Sequence, residues 1–271
     1  MKTGISTASF FTKLPTESCF AALKEMGVDT TEVFLSTYSE YEKGFADALG
    51  SRLDGSLKVH SVHSLSSQFE GELFSPSNRV RDDAEQLFRK VCYAGNVLGA
   101  KYYTFHGPLD LKRSSQATDI SVYAERFAYL ADVAKTYGII IAVENVHYCK
   151  FASPELMRDL MRACPALCAT IDIKHSIFSG YDPIKYIDAV EDRLVTVHVT
   201  DVTKDDTTAL PGNGRYDFER LFRELYKRGL YKRGLEPAVI VEAYARDFHY
   251  LEELKTSYDR LRAFAEEAKR S

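Results

Sequence analysis

The chain contains 271 residues, of which 45% are hydrophobic and 27% charged, and its formal net charge is −4 at pH 7. This balance is ordinary for a globular protein and gives no electrostatic reason to expect nucleic-acid binding as the main activity. Because no run approaches the ~20 consecutive apolar residues of a membrane helix, and residues 1–11 lack an apolar core of signal-peptide length, we expect a cytoplasmic protein.

Short runs rich in β-branched and aromatic residues alternate with longer amphipathic segments along the whole chain. Eight of the short runs predict strands: Lys2–Thr7, Thr31–Leu35, Leu57–His63, Lys101–His106, Ile139–Glu144, Leu167–Asp172, Leu194–Thr200 and Ala238–Glu242. The segments between and after them predict helices: Thr16–Met26, Tyr41–Arg52, Arg79–Leu98, Ile120–Tyr137, Pro154–Ala163, Pro183–Val190, Phe218–Arg228 and Leu251–Lys269.

The helix boundaries carry the usual local signals. Ser153 and Asp182 each precede a proline, which is the pattern of an N-cap with proline at the first helical position. Eight strand–helix units without a long polar linker predict a single α/β domain over residues 1–271, a (β/α)8 TIM barrel, with an open doubly wound sheet as the alternative. The pentapeptide Tyr-Lys-Arg-Gly-Leu occurs twice, at 226–230 and 231–235, and is interpreted as a duplication in a surface loop.

The five cysteines are an odd number, and several of them lie inside apolar runs. This usage indicates buried free thiols in a reducing compartment. Cys164 and Cys168 are close in sequence, but no second pair exists to complete a structural zinc site.

Polar side chains that can hold a metal ion close six successive predicted strands: His63, His106, Glu144, Asp172, His198 and Glu242. In a barrel the carboxyl ends of all strands meet on one face, where active sites form. Two glutamates, one aspartate and one histidine suit Mn²⁺, Zn²⁺, Co²⁺ or Mg²⁺. Without a cation, three clustered carboxylates would repel one another, and no ring of arginines to neutralise them is evident. The alternative is that each carboxylate caps loop amides.

Several segments carry a family resemblance: Ile171-Asp172-Ile173-Lys174-His175, Gly180-Tyr181-Asp182-Pro183, Val143-Glu144-Asn145, Val197-His198-Val199-Thr200-Asp201 and Val239-Ile240-Val241-Glu242. They resemble the xylose isomerase-like barrel superfamily, which contains sugar isomerases and epimerases of the tagatose-epimerase type, inosose-metabolising enzymes and metal-dependent apurinic endonucleases. The resemblance runs from the first predicted strand to the last helix.

The resemblance implies a divalent-metal-dependent sugar isomerase or epimerase that acts on a small carbohydrate. In the epimerase branch, one metal ion is held by residues matching Glu144, Asp172, His198 and Glu242. The two glutamates there also act as the acid/base pair on opposite faces of the substrate. Substrate contacts are implied at His63, His106, His175 and Lys204; for His63 and His106, a second metal or a structural role stays open.

Two other enzyme classes share parts of this pattern. An inosose-type dehydratase uses the same opening proton abstraction, and the sequence does not separate it from an epimerase. The endonuclease branch needs an Asp-x-His pair where this chain has Thr207, Thr208 and Ala209, so cleavage of abasic DNA is not expected. A non-catalytic sugar-binding barrel is a further alternative, and the outer helices offer surfaces for a homo-oligomer.

A few nearby residues receive structural interpretations. His60 and His147 lie outside the strand-end pattern, so structural or surface roles are expected. Asn145 is expected to support the loop after Glu144, and Gly107-Pro108 to form a turn that opens the pocket.

Overall fold

The computed structural model describes residues 1–65, 68–110, 119–229 and 237–270. Eight parallel strands form a closed barrel in which neighbours follow chain order: β1 (Lys2–Ser6), β2 (Thr30–Leu35), β3 (Lys58–Ser64), β4 (Tyr102–Phe105), β5 (Ile140–Glu144), β6 (Cys168–Asp172), β7 (Leu194–Val199) and β10 (Ala238–Val241). β10 pairs with both β7 and β1 and so closes the ring. The predicted (β/α)8 barrel is confirmed, and no strand end differs from its prediction by more than one residue.

Helices surround the barrel between successive strands: α1 (Thr16–Glu25), α2 (Lys43–Gly50), α3 (Asn78–Val97), α4 (Ile120–Lys135), α5 (Pro154–Ala163), α6 (Ile173–Phe178), α7 (Pro183–Val190), α8 (Phe218–Lys227) and α9 (Leu251–Arg270). The side chains of Ser153 and Asp182 accept hydrogen bonds from the first turns of α5 and α7, as expected. The short helix α6 and a small antiparallel hairpin, β8 (Asp201–Val202) with β9 (Thr208–Ala209), were not predicted.

Two glycines lie where the barrel has no room for a side chain or needs an unusual backbone. A Cβ at Gly4 would lie 2.3 Å from the carbonyl oxygen of Thr30, because β1 and β2 approach closely there. Gly107 has a φ of +80° immediately after His106, a conformation that favours glycine. The chain bends at Pro108, directly after this glycine, and the opening of a pocket by this segment stays a prediction.

The expectation that the cysteines are free thiols agrees with the structure. All five cysteines are free; four are buried and Cys168 is half-buried. Within the described ranges, no helix has the length and apolar character needed to cross a membrane. The second copy of the duplicated pentapeptide lies outside the described residues.

Candidate metal centre and active site

The carboxyl ends of β5, β6, β7 and β10 bring four predicted residues into one cluster. Ligand atoms of Glu144, Asp172, His198 and Glu242 lie within 4.8 Å of one another. Glu144 and Asp172 end their strands, whereas His198 lies opposite Asp172 in the β6–β7 pairing and Glu242 directly follows β10. The barrel topology therefore gathers side chains that are far apart in sequence.

His198 faces the carboxylates of the cluster through one ring nitrogen. Its Nδ1 lies 2.9 Å from Oε1 of Glu144 and 3.7 Å from Oε2 of Glu242. The ring is fully buried. Although burial lowers the pKa of His198, the carboxylates of Glu32 and Glu242 raise it well above its usual value. Because Nδ1 is the ring nitrogen that faces Glu144 and Glu242, it is the nitrogen positioned to join the ligand set.

A lysine that the sequence analysis did not single out lies inside the cluster. Nζ of Lys174 is 2.7 Å from Oδ2 of Asp172 and 2.8 Å from Oε2 of Glu242, and its side chain is 2% exposed. Burial lowers the pKa of Lys174, but the two carboxylates raise it well above its usual value. The carboxylates are therefore neutralised in part by one buried ammonium and not by a ring of arginines.

The three carboxyl groups of the cluster differ in acidity. Burial raises the pKa of Asp172 to about 6, with the charges of Glu144 and Glu242 acting in the same direction and Lys174 opposing them. Burial also raises the pKa of Glu144, but the hydrogen bond and charge of His198 bring it well below its usual value. For Glu242, burial is outweighed by Lys174 and His198, which lower its pKa.

His63 and His106 form a second group with Glu144, in which their ligand atoms also lie within 4.8 Å. Nε2 of His106 is 3.7 Å from Oε2 of Glu144, and Nε2 of His63 is 3.6 Å from Oε1 of Glu242. The two rings lie 4.5 Å apart between centroids. Both histidines therefore border the four-ligand cluster, in positions compatible with substrate contact or with a second metal ion.

Two fully buried glutamates, Glu32 and Glu70, lie behind the histidines and were missed by the sequence analysis. Oε2 of Glu70 lies 2.9 Å from Nδ1 of His106, which directs the Nε2 side of that ring towards Glu144. Glu32 lies within β2, and its Oε1 is 3.0 Å from Nε2 of His198. The only available signal for Glu32 was an acidic residue inside an otherwise strand-like run.

His175 and Asn145 connect the cluster to α6. The backbone N–H of His175 donates to Oδ1 of Asp172 at 2.7 Å, so this aspartate is both a candidate ligand and the N-cap of α6. Asn145 Oδ1 accepts from the backbone N–H of Asp172 at 2.7 Å. Asn145 therefore supports the end of β6 and the start of α6, and its predicted support of the loop after Glu144 stays a prediction.

His147 and His175 are direct partners. Their Nδ1 atoms lie 2.7 Å apart, which requires one ring to donate and the other to accept. His147 was expected to have a structural or surface role, and its position beside His175 shows that it helps to hold this predicted substrate contact.

Lys204 lies apart from the other predicted site residues. It is exposed in the turn of the β8–β9 hairpin, and among the described residues no contact joins its side chain to the cluster. The same hairpin region is organised by Asp201, which accepts hydrogen bonds from the backbone N–H groups of Gly212, Gly214 and Tyr216.

The chemistry of the four-ligand cluster fits one divalent cation. It offers three carboxylates and one imidazole in a buried space, and mixed oxygen and nitrogen sets of this kind bind divalent metals. Lys174 contacts an oxygen of two of these carboxylates, so the ammonium and a cation would share Asp172 and Glu242. The second group, around His63 and His106, uses the remaining oxygen side of Glu144.

A closed (β/α)8 barrel with buried carboxylates and histidines at the carboxyl ends of its strands defines the class of protein. Residues 20–270 match the family model of the xylose isomerase-like TIM barrel, and the chain belongs to this family. No curated protein matches the sequence.

Solved structures share the fold over nearly the whole chain. A D-tagatose 3-epimerase-like protein is 18% identical with a TM-score of 0.77, covering 100% of this chain and 99% of that one. An IOLI protein with a bound zinc atom is 16% identical (TM-score 0.71; 99% and 96% covered). The probable 3-DHS dehydratase AsbF from Bacillus anthracis is 14% identical (TM-score 0.75; 97% and 99% covered).

Proposed function

We propose that this protein is a divalent-metal-dependent isomerase or epimerase of a small polyhydroxylated carbonyl compound, which acts by proton abstraction through an enediolate. The observation that carries the proposal is the cluster itself, in which Glu144 and Glu242 lie with Asp172 and His198 in one buried group. The epimerase-like solved structure supports the choice of substrate class.

Glu144, Asp172, His198 and Glu242 would hold the cation. A bound cation would polarise the carbonyl and the adjacent hydroxyl of the substrate and so acidify the C–H bond on the hydroxyl-bearing carbon. Zinc is supported by the IOLI structure, and manganese, cobalt and magnesium also suit the donor set.

Glu144 and Glu242 are proposed as the acid/base pair. Because the pKa of each is lowered despite burial, both are carboxylates at neutral pH, the form in which either accepts a proton. In the barrel, β6 and β7 separate the strands that carry the two glutamates. The two side chains therefore enter the cluster from different directions, as removal and return of a proton on opposite faces require.

His63, His106 and His175 are proposed to contact the substrate hydroxyls. All three are buried beside the cluster, and each ring has one nitrogen already held by a neighbour: Thr104, Glu70 and His147. Such fixation leaves the other nitrogen with a defined direction. Lys204 also remains a proposed contact, although its exposed position does not support it.

An inosose-type or similar dehydratase is the second candidate function. The fold is shared with the probable dehydratase AsbF, and dehydration begins with the same proton abstraction. Product analysis separates the two reactions, because loss of water gives a product with new ultraviolet absorbance, whereas epimerisation conserves mass. An endonuclease is not supported, since Thr207, Thr208 and Ala209 replace the Asp-x-His pair of that branch.

Elemental analysis of the wild-type protein beside Asp172→Asn tests the proposal. We expect about one equivalent of Mn, Zn or Co per chain in the wild type and its loss in the variant. The variant preserves the α6 cap, because an asparagine oxygen still accepts from the His175 N–H. Two equivalents would place a second ion at His63 and His106. No metal after reconstitution with each ion would contradict the proposal.

A further inference from the structure

Glu32 is a buried carboxylate that the proposed reaction does not use. It lies within β2 between Thr31 and Val33, and its side chain is 0% exposed. Leaving an ionised carboxylate in such a place is costly unless it is hydrogen-bonded or paired. Because Glu32 lies next to the four candidate metal ligands, we expect it to have a specific role there.

Three hydroxyl groups from three different strands hold Glu32 in one orientation. Ser6 Oγ donates to Oε1 at 3.2 Å, while Ser61 Oγ and Thr104 Oγ1 donate to Oε2 at 2.8 and 2.7 Å. Among the described residues, no lysine or arginine forms an ion pair with Glu32. The hydroxyl groups leave Oε1 directed at its remaining neighbour, the imidazole of His198.

Nε2 of His198 lies 3.0 Å from Oε1 of Glu32, within ion-pair distance, and among the described residues this buried nitrogen has no hydrogen bond of regular geometry. The opposite nitrogen, Nδ1, faces Glu144 at 2.9 Å. One ring is thus placed between a fixed carboxylate behind it and the candidate ligand set in front of it. When the Nε2 proton faces Glu32, the lone pair of Nδ1 is directed into the cluster.

We propose that Glu32 is a positioning residue that fixes the ring orientation and tautomer of His198, so that Nδ1 serves as the metal ligand. The inference rests on the proposed function, because it presupposes the four-ligand metal site. Carboxylates that hold the second nitrogen of a ligating histidine set its tautomer and raise its basicity, and their loss typically weakens metal affinity about 10- to 100-fold.

Direct ligation by Glu32 is the competing interpretation, since Glu32, His63 and Glu242 also have ligand atoms within 4.8 Å of one another. Oε2, however, accepts from Ser61 and Thr104, and Oε1 faces His198. Ligation would require Glu32 to give up these partners. The two interpretations predict different stoichiometries. If Glu32 is a metal ligand, its loss removes one bound ion. If Glu32 positions His198, its loss leaves the ion bound but with lower affinity.

Metal affinity and stoichiometry of Glu32→Gln provide the test. Zn²⁺ binding to the metal-free protein is measured by competition with a chromophoric chelator. We expect one equivalent of Zn²⁺ in both proteins and an affinity roughly 10- to 100-fold lower in the variant. Glu70→Gln is the matched control, because Glu70 is an equally buried carboxylate that holds His106, outside the four-ligand set. The Zn²⁺ affinity of Glu70→Gln should equal that of the wild type.

A spectroscopic readout separates positioning from general destabilisation. In the zinc-loaded wild type, the Nε2–H of His198 should give an exchange-protected ¹H–¹⁵N signal, which shifts or disappears in Glu32→Gln. If Glu32→Gln does not fold, Ser61→Ala removes one hydroxyl donor and should lower the Zn²⁺ affinity in the same direction, by less. The test then consists of the lower Zn²⁺ affinity of Ser61→Ala and the exchange-protected Nε2–H signal of His198 in the wild type.

Each outcome has a definite meaning. The first outcome is that the wild type binds one equivalent of Zn²⁺ and Asp172→Asn loses it. If Glu32→Gln then binds Zn²⁺ as tightly as the wild type, the role of Glu32 is overturned and the proposed function stays intact. Loss of one of two equivalents in Glu32→Gln would make it a ligand instead. If the wild type binds no Zn²⁺, the proposed function and this inference both fail.

Discussion

The ammonium nitrogen of Lys174 lies 2.8 Å from Oε2 of Glu242, one of the two carboxylates proposed to exchange the substrate proton. The same nitrogen lies 2.7 Å from Oδ2 of Asp172 and 5.3 Å from the ring centre of Tyr244. A permanent positive charge thus contacts two candidate metal ligands in a buried space. It stabilises the carboxylates and competes with a cation for their oxygens.

Lys174→Met should therefore have opposite effects on stability and metal affinity. In the metal-free protein, removal of one partner of a buried ion pair leaves uncompensated charge, and we expect a loss of about 3–5 kcal/mol in the free energy of unfolding. Metal affinity should rise about tenfold or more, because a like charge near the cation is gone. Denaturation in chelator and chelator competition measure the two effects.

Lys150→Met is the matched control for Lys174. Lys150 pairs with Asp110 at 3.1 Å and is 12% exposed, and among the described residues no ion pair joins it to the four candidate ligands. Its replacement should leave metal affinity unchanged. Equal metal affinities in wild type and Lys174→Met would contradict the proposed competition.

Single replacement of either proposed base should separate isotope exchange from net epimerisation. In Glu144→Gln or Glu242→Gln, turnover measured at saturating metal should fall by roughly 10²–10⁴-fold. The remaining carboxylate can still remove and return a proton on its own face. In deuterated water, each variant should therefore exchange deuterium into one epimer only, and the two variants into different epimers. Mass spectrometry and NMR of the sugar pool report this, and identical exchange patterns would contradict opposite-face chemistry.

His60 should make the fold sensitive to mild acid. Its Nε2 contacts the Val195 carbonyl oxygen at 3.0 Å, and burial lowers its pKa to about 4. Because the unfolded chain, with a histidine pKa of about 6.5, binds this proton more readily, stability is lost as pH falls from about 6.5 to about 4. The free energy of unfolding falls by about 3 kcal/mol over this range, and about 2 kcal/mol of this has already been lost at pH 5.

His60→Gln retains a donor for the carbonyl oxygen but does not titrate. Urea denaturation at pH 7.5 and pH 5 should show a smaller acid-induced loss of unfolding free energy in this variant than in the wild type. Equal losses in the two proteins would assign the acid sensitivity to other groups.

The close approach of β1 and β2 predicts that Gly4→Ala is strongly destabilising. The added Cβ would lie 2.3 Å from the backbone oxygen of Thr30, so the two strands must separate, at a cost of about 2–3 kcal/mol or more. Gly44→Ala is the control, since a Cβ there meets nothing within 4 Å and Gly44 lies in α2. It should be neutral or stabilising by up to about 1 kcal/mol. Thermal unfolding of both variants measures the difference.

The barrel and the four-residue cluster were predictable because each signal lies within a short stretch of sequence. β-branched runs predict strands, and a polar residue at the end of such a run marks the catalytic face once a barrel is assumed. The helix α6 was missed because it begins directly after β6, without a loop to separate the two patterns.

The partners of the cluster could not be predicted in the same way. Lys174 is one residue of a short motif, and only the folded chain shows that its ammonium turns back to Asp172 and Glu242. Glu32 and Glu70 act through histidines on other elements. Such pairings depend on register and rotamer, which periodicity does not specify.

Asp172 has one further consequence, because its two oxygens serve different parts of the molecule. Oδ1 accepts the backbone N–H of His175 at the start of α6, and Oδ2 faces Lys174 within the cluster. A change in the tilt of α6 therefore moves a candidate metal ligand and a predicted substrate contact together. Substitutions in α6 that alter substrate preference should also alter metal affinity, so the two properties cannot be adjusted independently through this helix.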